Sequence, residues 1–99
     1  MAKRKVIWSK RAQIKLSGIL QFYTERNGSK AYSVKLYAKI SKSVKLLEKH
    51  PEIGYKTDFE NVRALIVDSY IVYYENLNDL TKIHTIWDCS QNPENLEIK

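Results

Sequence analysis

Apolar residues in this chain follow two different rhythms. Residues 63–74 and 81–88 are dense in β-branched and aromatic side chains, which predicts a sheet there. Asp68-Ser69 and the run Asn76-Leu77-Asn78-Asp79 interrupt it with residues that tolerate turn geometry, so three strands joined consecutively and antiparallel are expected. Alternation places Tyr70, Val72 and Tyr74 on one face and Ile71, Tyr73 and Glu75 on the other. On the last strand Ile83, Thr85 and Trp87 oppose Lys82, His84, Ile86 and Asp88. The second of those sets is the more polar, so that face of the sheet is assigned to solvent and left open for a partner.

The rhythm before Pro51 is helical. Val6-Ile7-Trp8 reads as a short strand, and Ser9 is placed to cap a helix over residues 10–26. Ala12, Leu16, Ile19, Leu20 and Tyr23 share one face of that helix. Gly18 weakens it by about 1 kcal/mol relative to alanine and marks a point where a neighbour can come close. Asn27-Gly28 ends the helix and Ser29 can cap the next, over residues 30–49, which His50-Pro51 stops. Its buried face is predicted to carry Ser33, Leu36, Tyr37, Ile40, Val44 and Leu47. Residues 51–60 read as a linker broken by Gly54, the most mobile segment, with Tyr55 or Phe59 available to pin it to the core. The pattern predicts an α+β domain in which a short N-terminal strand leads into a two-helix hairpin packed on an antiparallel sheet of three further strands.

Length bounds this to a single domain over residues 1–99, with residues 90–99 a polar tail. The basic start is too short on apolar residues for a signal peptide, and no run approaches the roughly 20 apolar residues of a membrane span, so a cytoplasmic protein is expected. Cys89 is the single cysteine, which excludes an intramolecular disulfide and a cysteine-based zinc cluster. His50 and His84 have no ligand spacing and there is no glycine-rich phosphate loop, so neither a metal nor a cofactor is expected.

Charge divides the chain more sharply than its net +6 conveys. Residues 1–50 hold thirteen Lys or Arg against Glu25 and Glu48, whereas residues 51–99 hold four against nine carboxylates. A basic helical half suits an anionic partner, nucleic acid or an acidic protein segment; it equally suits a solvated, lysine-rich surface. Lys35, Lys39, Lys42 and Lys49 fall on the outer face of the second helix.

With this element order, particular motifs become recognisable: Ile7-Trp8-Ser9 entering the first helix, His50-Pro51-Glu52-Ile53-Gly54 before the sheet, Val62-Arg63 opening a strand, Tyr70-Ile71-Val72-Tyr73-Tyr74, and Trp87-Asp88 with Gln91-Asn92-Pro93 closing it. In order and spacing they resemble the RelE/ParE superfamily of bacterial type II toxin–antitoxin modules, in particular the plasmid-stabilisation toxins. The resemblance implies a toxin neutralised by a cognate antitoxin whose C-terminal segment wraps it. RelE-like members are mRNA interferases that cut message in the ribosome without metal, which is the activity expected first of this chain; the alternatives are a non-catalytic ParE-like inhibitor that binds DNA gyrase and an inactive relative that retains only antitoxin binding. Under the first reading Arg63 would hold the scissile phosphate, His84 would act as acid or base, and Tyr73 or Tyr74 would stack a base or donate a proton. Lys35, Lys39, Lys42, Lys49, Lys56 and Lys82 would hold RNA. Plainer readings stand beside these: Arg63 paired with Asp68 or Glu75, His84 an ordinary exposed strand residue, Tyr73 a packing residue. The chain departs from the subgroup at Ser90, where an arginine is usual, and ends its last strand in Trp87 and Asp88 where the ribonucleases carry basic groups.

Overall fold

A computed structural model describes residues 4–89, so expectations about the tail and the Gln91-Asn92-Pro93 motif lie outside the described residues. The elements are β1 (Lys5–Trp8), α1 (Lys10–Asn27), α2 (Ala31–Lys45), a 3-10 turn (Leu46–Glu48), β2 (Tyr55–Lys56), β3 (Val62–Val67), β4 (Tyr70–Asn76) and β5 (Leu80–Asp88). The strands form one sheet in the order β1-β5-β4-β3-β2. Contacts from β2 to β5 are antiparallel between neighbours, as the turn residues required, but β1 pairs parallel with β5. The helical hairpin carries the chain from β1 at one edge to β2 at the other, and the antiparallel strands then return it to β5 beside β1, so the parallel pair is reached by a long crossover.

The boundaries of α1 follow its capping residues, whereas Lys30 at the start of α2 makes no side-chain cap. Ser9 accepts a hydrogen bond from the Ala12 N–H at 3.0 Å through its Oγ, which also donates to the His84 carbonyl and so ties the start of α1 to β5. Gly28 closes α1 at φ 66°, a left-handed cap. Between the helices, the Ser33 hydroxyl donates to the Leu20 carbonyl and lies 2.7 Å from the Thr24 hydroxyl, so a buried serine is fully partnered at the crossing. Ala12, Leu36, Ile40, Val44 and Leu47 meet Val67, Tyr70, Val72, Tyr74, Ile83 and Ile86 in the core, with Leu16, Ile19, Leu20 and Tyr23 packed around them.

Four expectations need correction. Tyr37, expected in the core, is 52% exposed, because Leu36 and Ile40 already fill the face that meets the sheet. α2 stops at Lys45 and tightens into the 3-10 turn, which removes Lys49 from the lysine row. Part of the linker is a strand: Tyr55 and Lys56 pair with Ala64 and Arg63 and form the far edge of the sheet.

The fourth concerns the face turned away from the helices, which is not open throughout: Ile66 is exposed and Ile71, Tyr73, Glu75 and Lys82 are half-buried, while Val62, Ala64, His84, Thr85 and Trp87 are buried. Tyr74 pairs with Ile83 and Tyr73 with Thr85, so β5 carries one extra residue, His84, and the strict alternation breaks there. After this bulge Thr85 and Trp87 occupy the far face, and with Val62 and His84 they are buried. Asp88 is turned to the helix side instead.

The two interior glycines behave differently. A Cβ at Gly54 would stand 2.6 Å from Tyr74 Oη and 2.9 Å from the Ala64 carbonyl oxygen, whereas one at Gly18 meets no described atom within 4 Å. Chemical denaturation of the two alanine variants should therefore move in opposite directions. Gly18→Ala is expected to stabilise by about 1 kcal/mol through helix propensity, and Gly54→Ala to destabilise by about 1–3 kcal/mol through overpacking.

Candidate functional site

Arg63 and Tyr74 are register partners on the helix side of the sheet, and both are committed to residues 51–54. Arg63 Nη1 donates to the carbonyls of Gly54 at 2.9 Å and Glu52 at 3.2 Å. The Tyr74 hydroxyl accepts from the Gly54 N–H and donates to the Pro51 carbonyl, each at 2.9 Å. Asn76 Nδ2 adds a second donor to the Pro51 carbonyl at 2.8 Å. Asn76 Oδ1 in turn accepts from Thr81, whose hydroxyl receives Arg4 Nε. The segment read from sequence as the most mobile is thus held by side chains of β3 and β4. Arg63 pairs with neither Asp68 nor Glu75; backbone carbonyls are its partners.

His84 and Tyr73 lie on the opposite face. His84 is 8% exposed, and its Nε2 is 2.8 Å from Glu75 Oε1, so it is not an open strand residue. Tyr73 stands opposite Thr85, half-buried. Burial raises the Tyr73 phenol pKa, helped by Cys89, which is free and exposed at the end of β5. Because successive strand residues point to opposite faces, Tyr73 and Tyr74 can never meet. The sheet therefore brings together Arg63 with Tyr74 and puts Tyr73 and His84 on the opposite face.

The six lysines do not converge either. Lys35, Lys39 and Lys42 are exposed on α2, with Lys39 Nζ 3.1 Å from Asp68 Oδ2 in a surface pair worth little. Lys49 follows the 3-10 turn, Lys56 sits on the β2 edge beside Arg63, and Lys82 is opposite Glu75 on β5. Among the described residues no group of three or more His, Cys, Asp or Glu could hold a metal ion, and no helix is long and apolar enough to cross a membrane.

Concave surface is found instead along the helices. A groove of about 640 Å³ runs between β1 and the hairpin, lined by Val6, Trp8, Leu16, Tyr37 and Val44. A second cleft of about 460 Å³ lies between α1 and the end of β5, lined by Ile14, Gly18, Phe22, Tyr70, Ile86 and Asp88. Its floor is fixed by a hydrogen bond of 3.0 Å between the Tyr70 and Tyr23 hydroxyls. Ile14 and Phe22 escaped the reading of the sequence, although their signal was there. They are the large apolar residues of α1 that fall off its buried face.

A helical hairpin on a sheet with a parallel N-terminal edge strand is an architecture already known. The fold matches a chain of the chromosomal ParDE toxin–antitoxin system from P. aeruginosa with a TM-score of 0.77, at 19% identity, over 87% of this chain and 96% of that one. No curated protein matches the sequence. The model of the family described as the ParE toxin of the type II toxin–antitoxin system parDE matches residues 6–93, and the chain belongs to that family. An antitoxin is the partner this membership implies.

The Tyr74 geometry has a consequence for pH. Burial raises its phenol pKa above the ordinary 10.0, partly offset by the Gly54 N–H and the Arg63 charge, and burial raises that of Tyr70 as well. A raised pKa means the folded chain holds the proton more tightly than the unfolded one, so this stability is complete below pH 10 and lost as pH rises above it. Thermal unfolding followed by circular dichroism should show a steep loss above about pH 10. Tyr74→Phe should flatten part of that loss, and at neutral pH should lower stability by about 1–3 kcal/mol by leaving the Gly54 N–H unpaired.

Proposed function

We propose that this chain arrests growth as a ParE-type toxin that binds DNA gyrase in the cytoplasm, acting through a protein contact and not by cutting RNA, and that its antitoxin neutralises it by covering the contact. Two strands of argument support the reading. Within the RelE/ParE resemblance, gyrase binding characterises the ParE-like branch, and ParE is the family to which the chain belongs.

The observation that carries the proposal is the division of the candidate groups by the sheet. Cleavage through a 2′-hydroxyl needs a base, a cation on the phosphate and a proton donor within hydrogen-bond reach of one scissile bond. Arg63 and Tyr74 face one side, engaged with residues 51–54, while His84 and Tyr73 face the other. No single phosphate can be reached by both pairs. A protein contact requires no such convergence; it requires apolar surface and complementary charge, and the helical half offers both.

The competing reading, ribosome-dependent mRNA cleavage, predicts the opposite result in one pair of assays. Purified toxin is expected to inhibit supercoiling by gyrase at near-stoichiometric ratios while leaving message intact in a reconstituted translation reaction. Cleaved message together with full supercoiling activity would reverse the assignment. Arg63→Ala should reduce gyrase inhibition only in proportion to its loss of folded protein, measured by denaturation of the same preparation.

A further inference from the structure

α2 contains no carboxylate, yet it carries Lys35, Lys39, Lys42 and Lys45, with Lys30 immediately before it. Successive lysines of the row are three or four residues apart, so like charges stand within one turn of each other and weaken the helix. Glutamate forms a helix as readily as lysine, and one glutamate in the row would exchange repulsion for attraction while keeping the surface soluble. The repulsion is left for an anion outside the chain to relieve.

Geometry gathers these charges on one crest. Ser33, Leu36, Ile40 and Val44 are the buried positions of α2, so the helical repeat sends Lys35, Lys42 and Lys45 to the opposite ridge, where Ala31, Val34 and Ala38 lie between them, all exposed. Lys35 and Lys45 are roughly 15 Å apart along the axis. The aromatic rings of α2 lie off this ridge: Tyr32 packs edge-on against Tyr23 with centroids 4.7 Å apart, and Tyr37 lines the groove beside β1. Two carboxylates border it, neither of them on α2. Asp68 takes Lys39 at 3.1 Å in an exposed pair, and Glu48 shares the lining of the β1 groove with Lys45.

We propose that the outer ridge of α2 is a docking surface for the phosphate backbone of duplex DNA, bound without regard to sequence. Phosphates repeat along a duplex, and lysines in a row on a rigid helix meet several at once. Ala31, Val34 and Ala38 have no side-chain hydrogen-bonding group, so base edges are not read. Single strands are held by stacking bases on aromatic platforms, which the ridge does not present. A helix crest is convex: it fits the wide major groove of DNA, whereas the major groove of an RNA duplex is too narrow and a peptide needs a groove of its own. The use of this contact rests on the gyrase reading, in which the ridge holds the DNA that gyrase presents beside the bound toxin.

The test uses the full-length toxin and a labelled DNA duplex of mixed sequence, followed by fluorescence anisotropy across a salt series. The ridge variant Lys35→Gln/Lys42→Gln/Lys45→Gln is compared with Lys5→Gln/Lys10→Gln/Lys15→Gln, which loses equal charge elsewhere on the exposed surface. Wild-type affinity is expected to fall steeply as salt rises. The ridge variant should bind about tenfold more weakly, with a slope of log affinity against log salt shallower by roughly 2–3. The control should stay within about threefold of the wild type, with its slope changed by less than about 1. At equal concentrations of folded protein, the ridge variant should also inhibit supercoiling less than the control does.

No binding by the wild type at low salt, or equal losses in the two variants, would overturn the ridge. Tighter binding of an RNA duplex or a single strand of the same sequence would overturn DNA as its occupant. Gyrase inhibition undiminished in the ridge variant would overturn its part in that inhibition. DNA binding through the ridge by a wild-type toxin that leaves gyrase fully active would instead overturn the gyrase reading and uphold the surface.

Discussion

One extra residue in β5 sets the arrangement of this molecule. Ile83 and Ile86 are three apart, an odd spacing that regular alternation would send to opposite faces, yet both belong to the core beneath the helices. The bulge at His84 reconciles them. Without it the residues after Ile83 would exchange faces, turning Ile86 out of the core and Asp88 away from the α1 cleft. The bulge also sets His84 and Thr85 on the same far face, where His84 meets Glu75. Both the core and the division of the candidate catalytic groups therefore follow from a single break in strand periodicity.

A second constraint operates on the other side of the sheet. Tyr74 is wholly buried, and a buried hydroxyl needs partners, which the backbone of Pro51 and Gly54 provides. The close approach leaves no room for a side chain at position 54. Arg63 reinforces the same segment, so an arginine that could have faced a phosphate is used to hold the loop. The helical half, which is the basic half, presents Ile14, Phe22, Tyr32, Val34 and Tyr37 to solvent. Membership of the ParE toxin family implies a protein antitoxin as a partner.

Within the chain, the start and stop of α1 were determined by local rules that need only neighbouring residues. Ser9 caps and Gly28 terminates because an orphan amide and a left-handed residue are satisfied within a turn. The apolar face of α1 was legible for the same reason, since helical periodicity is a local property. The antiparallel order of the later strands followed from their short turns, and the family resemblance from the order of motifs.

Only the tertiary structure could decide the parallel pairing of β1, the edge strand at Tyr55–Lys56, the bulge at His84 and the partners of Arg63, Tyr74 and His84. Each of these depends on which distant segment fills the space beside a residue, and a period of two or 3.6 contains no information about that. A bulge in particular shifts every later side chain to the opposite face while leaving the composition of the strand unchanged. The sequence by itself thus determined the two helices, the four strands other than Tyr55–Lys56, and the family of this protein. The placing of its polar groups was decided by long-range packing.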